Sequence, residues 1–446
     1  MKFNLKGNIN YSAVIVKIEK LVLLENCDNI QHAIILGNSV IVSKDCKIGD
    51  VGIYFPVECS ISKDFLKVNN LYRDTTLNAD TTKKGFFELN GRVRCVKFRG
   101  NKSEGFFIPI DSIYFMINEF MPYSTNIKKL ELEIGTQFDH IDDNKICEKY
   151  IIRNKQPGMS GSKKGRKAKI SKIIPGQFVF HKDTEMIKRN IDRIFLDDLL
   201  QITAKFHGCS GISSKILCKR KLSIFEKLLL LLRVKIQTTE YDTIYSSRKV
   251  IKNEDINNKQ HYYSEDIWGR ANNVLSEYID AGMSLYYEIV GYLSDGKMIQ
   301  KDYDYGCEQG KFDIYIYRIT TISAVGIVHE FSARQVQQWC KQKGLKPVIE
   351  LYYGLAKDLY KEINTEDLTL WREQFLEKLA NDKNFHMEEN CVYNKNIVPT
   401  EGIVIRKESL GIESWKLKCN AFYLRETKLL DEQVEDIEEN QTEENV

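Results

Sequence analysis

The chain lacks several features that would assign it quickly. Its eleven cysteines include no CxxC pair, and no Cys/His spacing suits a metal site. Scattered, unpaired cysteines fit a reducing compartment. The N-terminus, MKFNLKGNIN, carries no apolar signal-peptide core, so a cytoplasmic protein is expected. There is no phosphate-cradling P-loop and no internal repeat. The most apolar run, Leu228 to Leu232, is bounded by Lys227 and Arg233. A bilayer span needs roughly 20 apolar residues, so this run is expected to be a buried segment and no membrane partner is expected. Charge of one sign is not in excess either: 65 basic and 62 acidic residues leave a formal +3, which by itself does not argue for nucleic acid.

What is present is a soluble globular composition, 43% hydrophobic and 28% charged, over 446 residues. That length implies two or three domains. Residues 1–145 read as β-rich. Runs such as Ala33 to Val42, Val51 to Phe55 and Arg92 to Phe98 are broken by turn signals at Lys47-Ile48-Gly49-Asp50, Asn90-Gly91 and Arg99-Gly100-Asn101. Short strands at this spacing suggest a small barrel or sandwich. Residues 146–176 form a basic linker; from Arg153 to Lys172 they carry eight basic residues and no acidic one. The stretch is solvated or faces nucleic acid. Residues 177–430 mix strands (Leu285 to Val290, Phe312 to Ile319, Gly402 to Arg406, Trp415 to Lys418) with helical patterns (Val336 to Lys343, Ile349 to Tyr360, Leu368 to Leu379). Residues 431–446 form an acidic tail, expected to be solvated and disordered.

The chemistry starts at Ile202-Thr203-Ala204-Lys205-Phe206-His207-Gly208. A strand runs into a lysine, and a glycine three residues on permits close backbone approach or a turn. Alone, K-x-x-G occurs in many surface turns. Downstream, Tyr286-Tyr287-Glu288-Ile289-Val290 sets one carboxylate in an apolar strand. An unpaired buried carboxylate is costly, so Glu288 needs a buried partner or a ligand. Glu401-Gly402-Ile403-Val404 opens another strand with a glutamate. Trp415-Lys416-Leu417-Lys418 alternates, which puts both lysines on one strand face and both apolar residues on the other. Two ammonium groups so placed form a solvated edge or hold polyphosphate.

Taken in order, these segments resemble motifs I, III, IV and V of the covalent nucleotidyltransferase superfamily. Phe312 to Ile319 stands where motif IIIa belongs, and Tyr245-Ser246-Ser247-Arg248 resembles the arginine segment of RNA ligases. His207 stands where DNA ligases and capping enzymes usually have aspartate, and K-x-H-G is similar to RNA ligases. The N-terminal segments Cys27-Asp28-Asn29-Ile30, Tyr54-Phe55-Pro56-Val57 and Val96-Lys97-Phe98-Arg99-Gly100 resemble the OB-like module of the Deinococcus/Naegleria-type RNA ligases.

The resemblance implies an α+β fold, with an OB-like β-barrel module preceding an ATP-grasp-like adenylylation domain of antiparallel sheets flanked by helices. It implies an ATP-dependent RNA ligase, acting as a monomer in RNA repair or sealing, that joins a 5′-phosphate to a 3′-hydroxyl. Lys205 would carry AMP, Glu288 would bind ribose, and Lys416, Lys418 and Arg248 would hold phosphates. Tyr317, with Phe312 as fallback, would stack on adenine. Ser210 would serve the step after adenylylation, and Glu401 would hold Mg2+ or Mn2+ through water. His207 cannot replace an anion; contact to a phosphate or ribose is expected. A DNA ligase, a capping-type enzyme and a non-catalytic nucleic-acid-binding scaffold are the alternatives; His207 and the domain order weigh against the first two, and retention of the lysine and both glutamates against the third.

Overall fold

Continuous apolar strands need two covered faces, and the first half of the molecule supplies them. In this computed structural model, which describes residues 2–25, 27–113, 133–152, 172–252 and 263–432, Ala13–Lys17 (AVIVK) is buried at its first four positions. It pairs with Val51–Phe55, which pairs with Phe106–Pro109, while Gln137–Phe138 closes the other edge. Ile15, Ile53 and Phe55 face one core with Phe65 and Phe138; Val14, Val16 and Tyr54 face another with Ala33, Val40 and Val42. The second core lies under the three-stranded sheet Lys20–Leu23, Ile30–Ile35, Asn38–Ser43. The β-rich run Ala33 to Val42 is a hairpin. Leu36 and Gly37 form its two-residue turn with φ of 49° and 68°, and a leucine in that conformation carries no sequence signal.

The second half holds two five-stranded sheets. One runs in the order Glu185–Met186, Glu413–Lys418, Gly402–Lys407, Leu199–Lys205, Glu350–Leu355; the other runs Thr239–Ser247, Cys209–Lys219, Met283–Gly291, Phe312–Ile322, Val328–Glu330. All pairings are antiparallel except the two-residue contact of Glu185–Met186 with Trp415 and Lys416. A core of Leu200, Ile202, Trp415 and Leu417 lies under the helix Leu368–Ala380, whose Trp371, Phe375 and Leu379 recur at four-residue spacing. Fully burying each such side chain contributes about 1.5–3 kcal/mol. The outer face of the second sheet is covered by Ile267–Leu275, capped by Asp266, and by Ala333–Lys343, which a Ser332/Gln335 capping box starts and left-handed Gly344 stops. The α+β architecture with antiparallel sheets and flanking helices is therefore present.

Two sequence expectations fail. Ile349 to Tyr360 is not a helix: Glu350–Leu355 is a strand pairing with Leu199–Lys205, and only Ala356–Leu359 is helical. Its six strand residues are all half-buried, so neither period is imposed on it. Leu228 to Leu232 is not buried. It forms the last turn of the helix Ile224–Leu231 together with its C-cap, and that helix buries no residue at all. Among the described residues no helix is long and apolar enough to cross a membrane. The basic stretch 153–171 and the acidic tail from 433 lie outside the described residues.

The halves are joined by buried polar contacts. Arg189, flanking the first sheet of the second half, donates to Ile9 O at 2.6 Å, Ser12 O at 3.0 Å and Gln137 Oε1 at 3.0 Å. Asn10 donates to Thr184 O and accepts from Met186 N, both at 3.0 Å. Arg92 reaches the helix Asn420–Asp431, bonding Asp431 at 3.1 Å.

Candidate active site

Lys205 ends its strand, and its register defines the site. Lys205 pairs with Gly402, and Gly402 pairs with Lys418; one step along the same face, Thr203 pairs with Val404 and Val404 with Lys416. With neighbouring strands roughly 4.8 Å apart, Lys205 and Lys418 flank a position that bears no side chain. That position is glycine for a reason: φ is +146°, and a Cβ there would lie 2.0 Å from Leu417 O. Trp415 and Leu417 point the other way, into the core, as the alternation predicts.

Glu401 sits beside this row, 3% exposed. Its Oε1 lies 2.6 Å from Lys205 Nζ and 3.9 Å from Lys418 Nζ. Burial works to raise the pKa of Glu401, but Lys205, Lys418 and His207 outweigh it and hold the carboxyl below its usual range. Burial would likewise depress Lys418; Glu426, Glu58 and Glu401 carry it well above its ordinary value instead. Asp183 and Glu58 also interact with Lys416 but do not offset what opposes its charge. Burial first, then Lys418, Lys205, Arg248 and Lys149, push it down to about 7.

The segment after Lys205 is stitched to the second sheet. Phe206 packs on Tyr305 and Tyr315 with centroids 4.7 and 4.5 Å away. Gly208 N donates to Glu288 Oε1 at 3.0 Å and Ser210 Oγ to Glu288 Oε2 at 3.1 Å, so Glu288 has its buried partners. A Cβ on Gly208 would meet Ile289 O at 2.3 Å, which explains the glycine of K-x-x-G. His207 N donates to Tyr305 Oη at 2.6 Å, and its ring stands edge-on to Tyr303 and Phe422. Burial lowers His207 to about 4, against the pull of Glu401 and with help from Lys205 and Lys418; the ring is neutral at pH 7.

Arg248 grips Asp183 through Nε at 3.1 Å and Nη2 at 2.5 Å, and Asn8 of the N-terminal half donates to the same carboxylate at 2.8 Å. Tyr315 pairs with Glu288, a register shift falls at Tyr317, and Phe312 packs with the opposite core. Tyr317 Oη lies 2.9 Å from His181 Nδ1, and burial lowers His181 to about 3. His181 in turn packs edge-on against Tyr286 at 5.3 Å, two residues from Glu288 on its strand, so Tyr317 is on the Glu288 face and Phe312 is not.

Sequence reading missed Glu58 and Glu426. Glu58 comes from the N-terminal half, 8% exposed and with φ of 68°. Burial would raise it, yet Lys418, a hydrogen bond with Glu426, Lys149 and Lys416 hold it to about 2. No local pattern marks either residue; the pairing exists only once the halves dock.

A hydrated divalent cation fits these residues. Glu401 Oε2 is buried, and no donor among the described residues reaches it. Among the described residues no group of three His, Cys, Asp or Glu could hold an ion.

A family model described as an OB-fold domain matches residues 12–110. No curated protein sequence matches the chain. Among solved structures, a mutant of the Naegleria gruberi RNA ligase with AMP and Mn aligns at TM-score 0.54 and 16% identity, covering 93% of this chain and 98% of that one. A mutant of the same ligase without ligand aligns at 0.55 and 16%, and the ligase with PPi at 0.53 and 17%, both with the same coverage. The fold is that of an RNA ligase. The RNA-ligase likeness spans both halves, including the OB-fold domain that contributes Glu58 to the lysine cluster.

Proposed function

We propose that the chain is an ATP-dependent RNA ligase that forms a covalent lysyl-AMP at Lys205, passes AMP to a 5′-phosphate end and joins that end to a 3′-hydroxyl. The observation that carries this reading is the row Lys205–Gly402–Lys418 with Glu401 beside it, facing Glu288 across the K-x-x-G loop. A buried cluster of three lysines is costly unless its charge is used, and a polyphosphate uses it.

In the first step the Lys205 amine attacks the ATP α-phosphorus, the P–N bond forms and diphosphate leaves. Lys416 and Lys418 hold the phosphates, with Arg248 able to add its planar fork once Asp183 yields. Glu288 receives the ribose hydroxyls while keeping the loop in place. Tyr317 stacks on adenine. His207, neutral, donates one ring N–H to a phosphate or ribose oxygen. Ser210 acts after adenylylation. Mg2+ or Mn2+, held by Glu401 through water, would supply charge neutralisation at the phosphates.

The test is to incubate the protein with Mg2+ or Mn2+ and α-labelled ATP or GTP, then run a denaturing gel. Label from ATP should travel with the chain and vanish in Lys205→Ala. No adduct, or one that survives the substitution, overturns the proposal; preference for GTP moves it to capping. Sealing of nicked duplexes should require RNA at the 3′-hydroxyl side, and equal sealing of an all-DNA nick would refute the RNA assignment.

A further inference from the structure

The strand Cys209–Lys219 pairs with Met283–Gly291 only as far as Ser214. Beyond it, Lys215 to Lys219 continues as an arm with Thr239 to Thr243, braced on its other edge by Lys172 and Ile173, which bond Lys219 and bridge Cys218. At the tip sits the helix Ile224–Leu231, held by a Ser223/Glu226 capping box. Among the described residues nothing covers this ordered helix: Ile224 is 87% exposed, Phe225 68%, Leu231 80% and Leu232 66%, and Leu228, Leu230 and Val234 are exposed too. At 100° per residue, Leu231, Ile224, Leu228, Leu232, Phe225 and Leu229 cover an arc of about 160°. Residues 215–243 also carry seven basic side chains (Lys215, Lys219, Arg220, Lys221, Lys227, Arg233, Lys235) against three acids, Glu226, Glu240 and Asp242, with Arg220 paired to Glu226.

We propose that this arm docks the protein on an anionic lipid bilayer, the helix lying in the interface with its leucines and Phe225 among the acyl chains and the lysines and arginines on the headgroups. Three observations favour a bilayer over a protein groove. The apolar arc is wider than the narrow stripe a partner helix or groove reads. Basic residues on both sides of the helix complement an anionic surface. A second apolar element stands at the same end of the sheet: the turn before Val328–Glu330 exposes Val325 (82%) and Ile327 (57%). Ile322 bonds Gly282, and Gly282 bonds Lys215 at the root of the arm. Lys219 is nine residues along its strand from Ser210, about 30 Å at roughly 3.3 Å per residue, so docking leaves Lys205 open to substrate. The helix is far too short to span, and the proposal is of a surface contact.

The test is co-sedimentation of the full chain with vesicles of phosphatidylcholine alone and of phosphatidylcholine with phosphatidylserine. The chain should pellet with the anionic vesicles, and less as salt rises. Phe225→Ser/Leu231→Ser should cut the bound fraction roughly tenfold, while labelling of Lys205 with AMP stays unchanged, which shows the variant is folded. Lys221→Glu/Arg233→Glu should abolish the preference for phosphatidylserine. Equal pelleting of the serine variant, or none of the parent chain with either vesicle, overturns the proposal. So does a parent chain that is dimeric and becomes monomeric in the serine variant, because a second copy would then cover the helix.

Discussion

Lys416 and Lys418 stand two residues apart on one face of one strand, yet they occupy opposite surroundings. Around Lys418 gather three carboxylates, Glu426, Glu58 and Glu401, and burial cannot stop them holding its proton. Around Lys416 the dominant influences are burial and four cations, so its proton is loose near neutrality. The alternation that puts both side chains on one face says nothing about this difference. It arises from what arrives across the sheet and from the other half of the molecule: Glu58 from the N-terminal half and Glu426 from the helix Asn420–Asp431 both lean on Lys418. The lesson is that one strand face can carry a permanent cation and a labile one, and that docking of the halves decides which is which.

The largest way to break this contrast is Lys418→Met. Three carboxylates, two of them buried, would lose their shared cation, and breaking a buried pair costs about 3–5 kcal/mol. Urea unfolding should show that loss, together with loss of the AMP adduct; an unchanged midpoint would refute the assignment. Lys416→Met should do the reverse to stability. Removing a buried cation among cations should add about 1–3 kcal/mol at pH 7, while the yield of AMP adduct drops at least tenfold; a destabilised variant would contradict the pKa direction.

Acidity and alkalinity sharpen the same point. The folded pKa of Lys416 is about 7 and its ordinary value 10.5. Between those values the unfolded chain binds the proton and the folded chain does not, so this residue makes stability rise with pH across that window. The advantage of Lys416→Met should therefore be full below pH 7 and fade as pH approaches 10.5; an advantage that does not vary with pH would exclude the effect. The smallest expected change is Glu58→Gln. It removes one of the carboxylates facing Lys418, and about 1 kcal/mol should be lost, with the adduct still formed. A loss as large as that of Lys418→Met would mean that Glu58 holds the halves together rather than tuning the lysine.

Much of the site was legible because its parts are local. Lys205, the glycine three residues on, the glutamate before Gly402 and the lysine pair each sit within a few residues of their strand, where period two decides direction. What stayed hidden depends on distant chain. Nothing near Glu58 signals a lysine more than 350 residues away in sequence, and the two-residue turn at Leu36-Gly37 uses a leucine in a conformation that leucine rarely marks. Ile349 to Tyr360 misled because half-burial on both faces erases any period. Leu228 to Leu232 misled because apolarity was equated with the interior, whereas its helix projects from the sheet on an arm.

Glu401 has a consequence for the order of events. One of its oxygens is committed to Lys205 and the other is bare. A single carboxylate divides its charge among its callers, so whatever engages the bare oxygen weakens the grip on the ammonium. On the proposed reading, in which Lys205 attacks ATP, its contact with Glu401 is what a group arriving at the bare oxygen would have to loosen. The proposed order of events would then be built into one carboxylate: the contact that seats Lys205 is also the one that yields as the site fills.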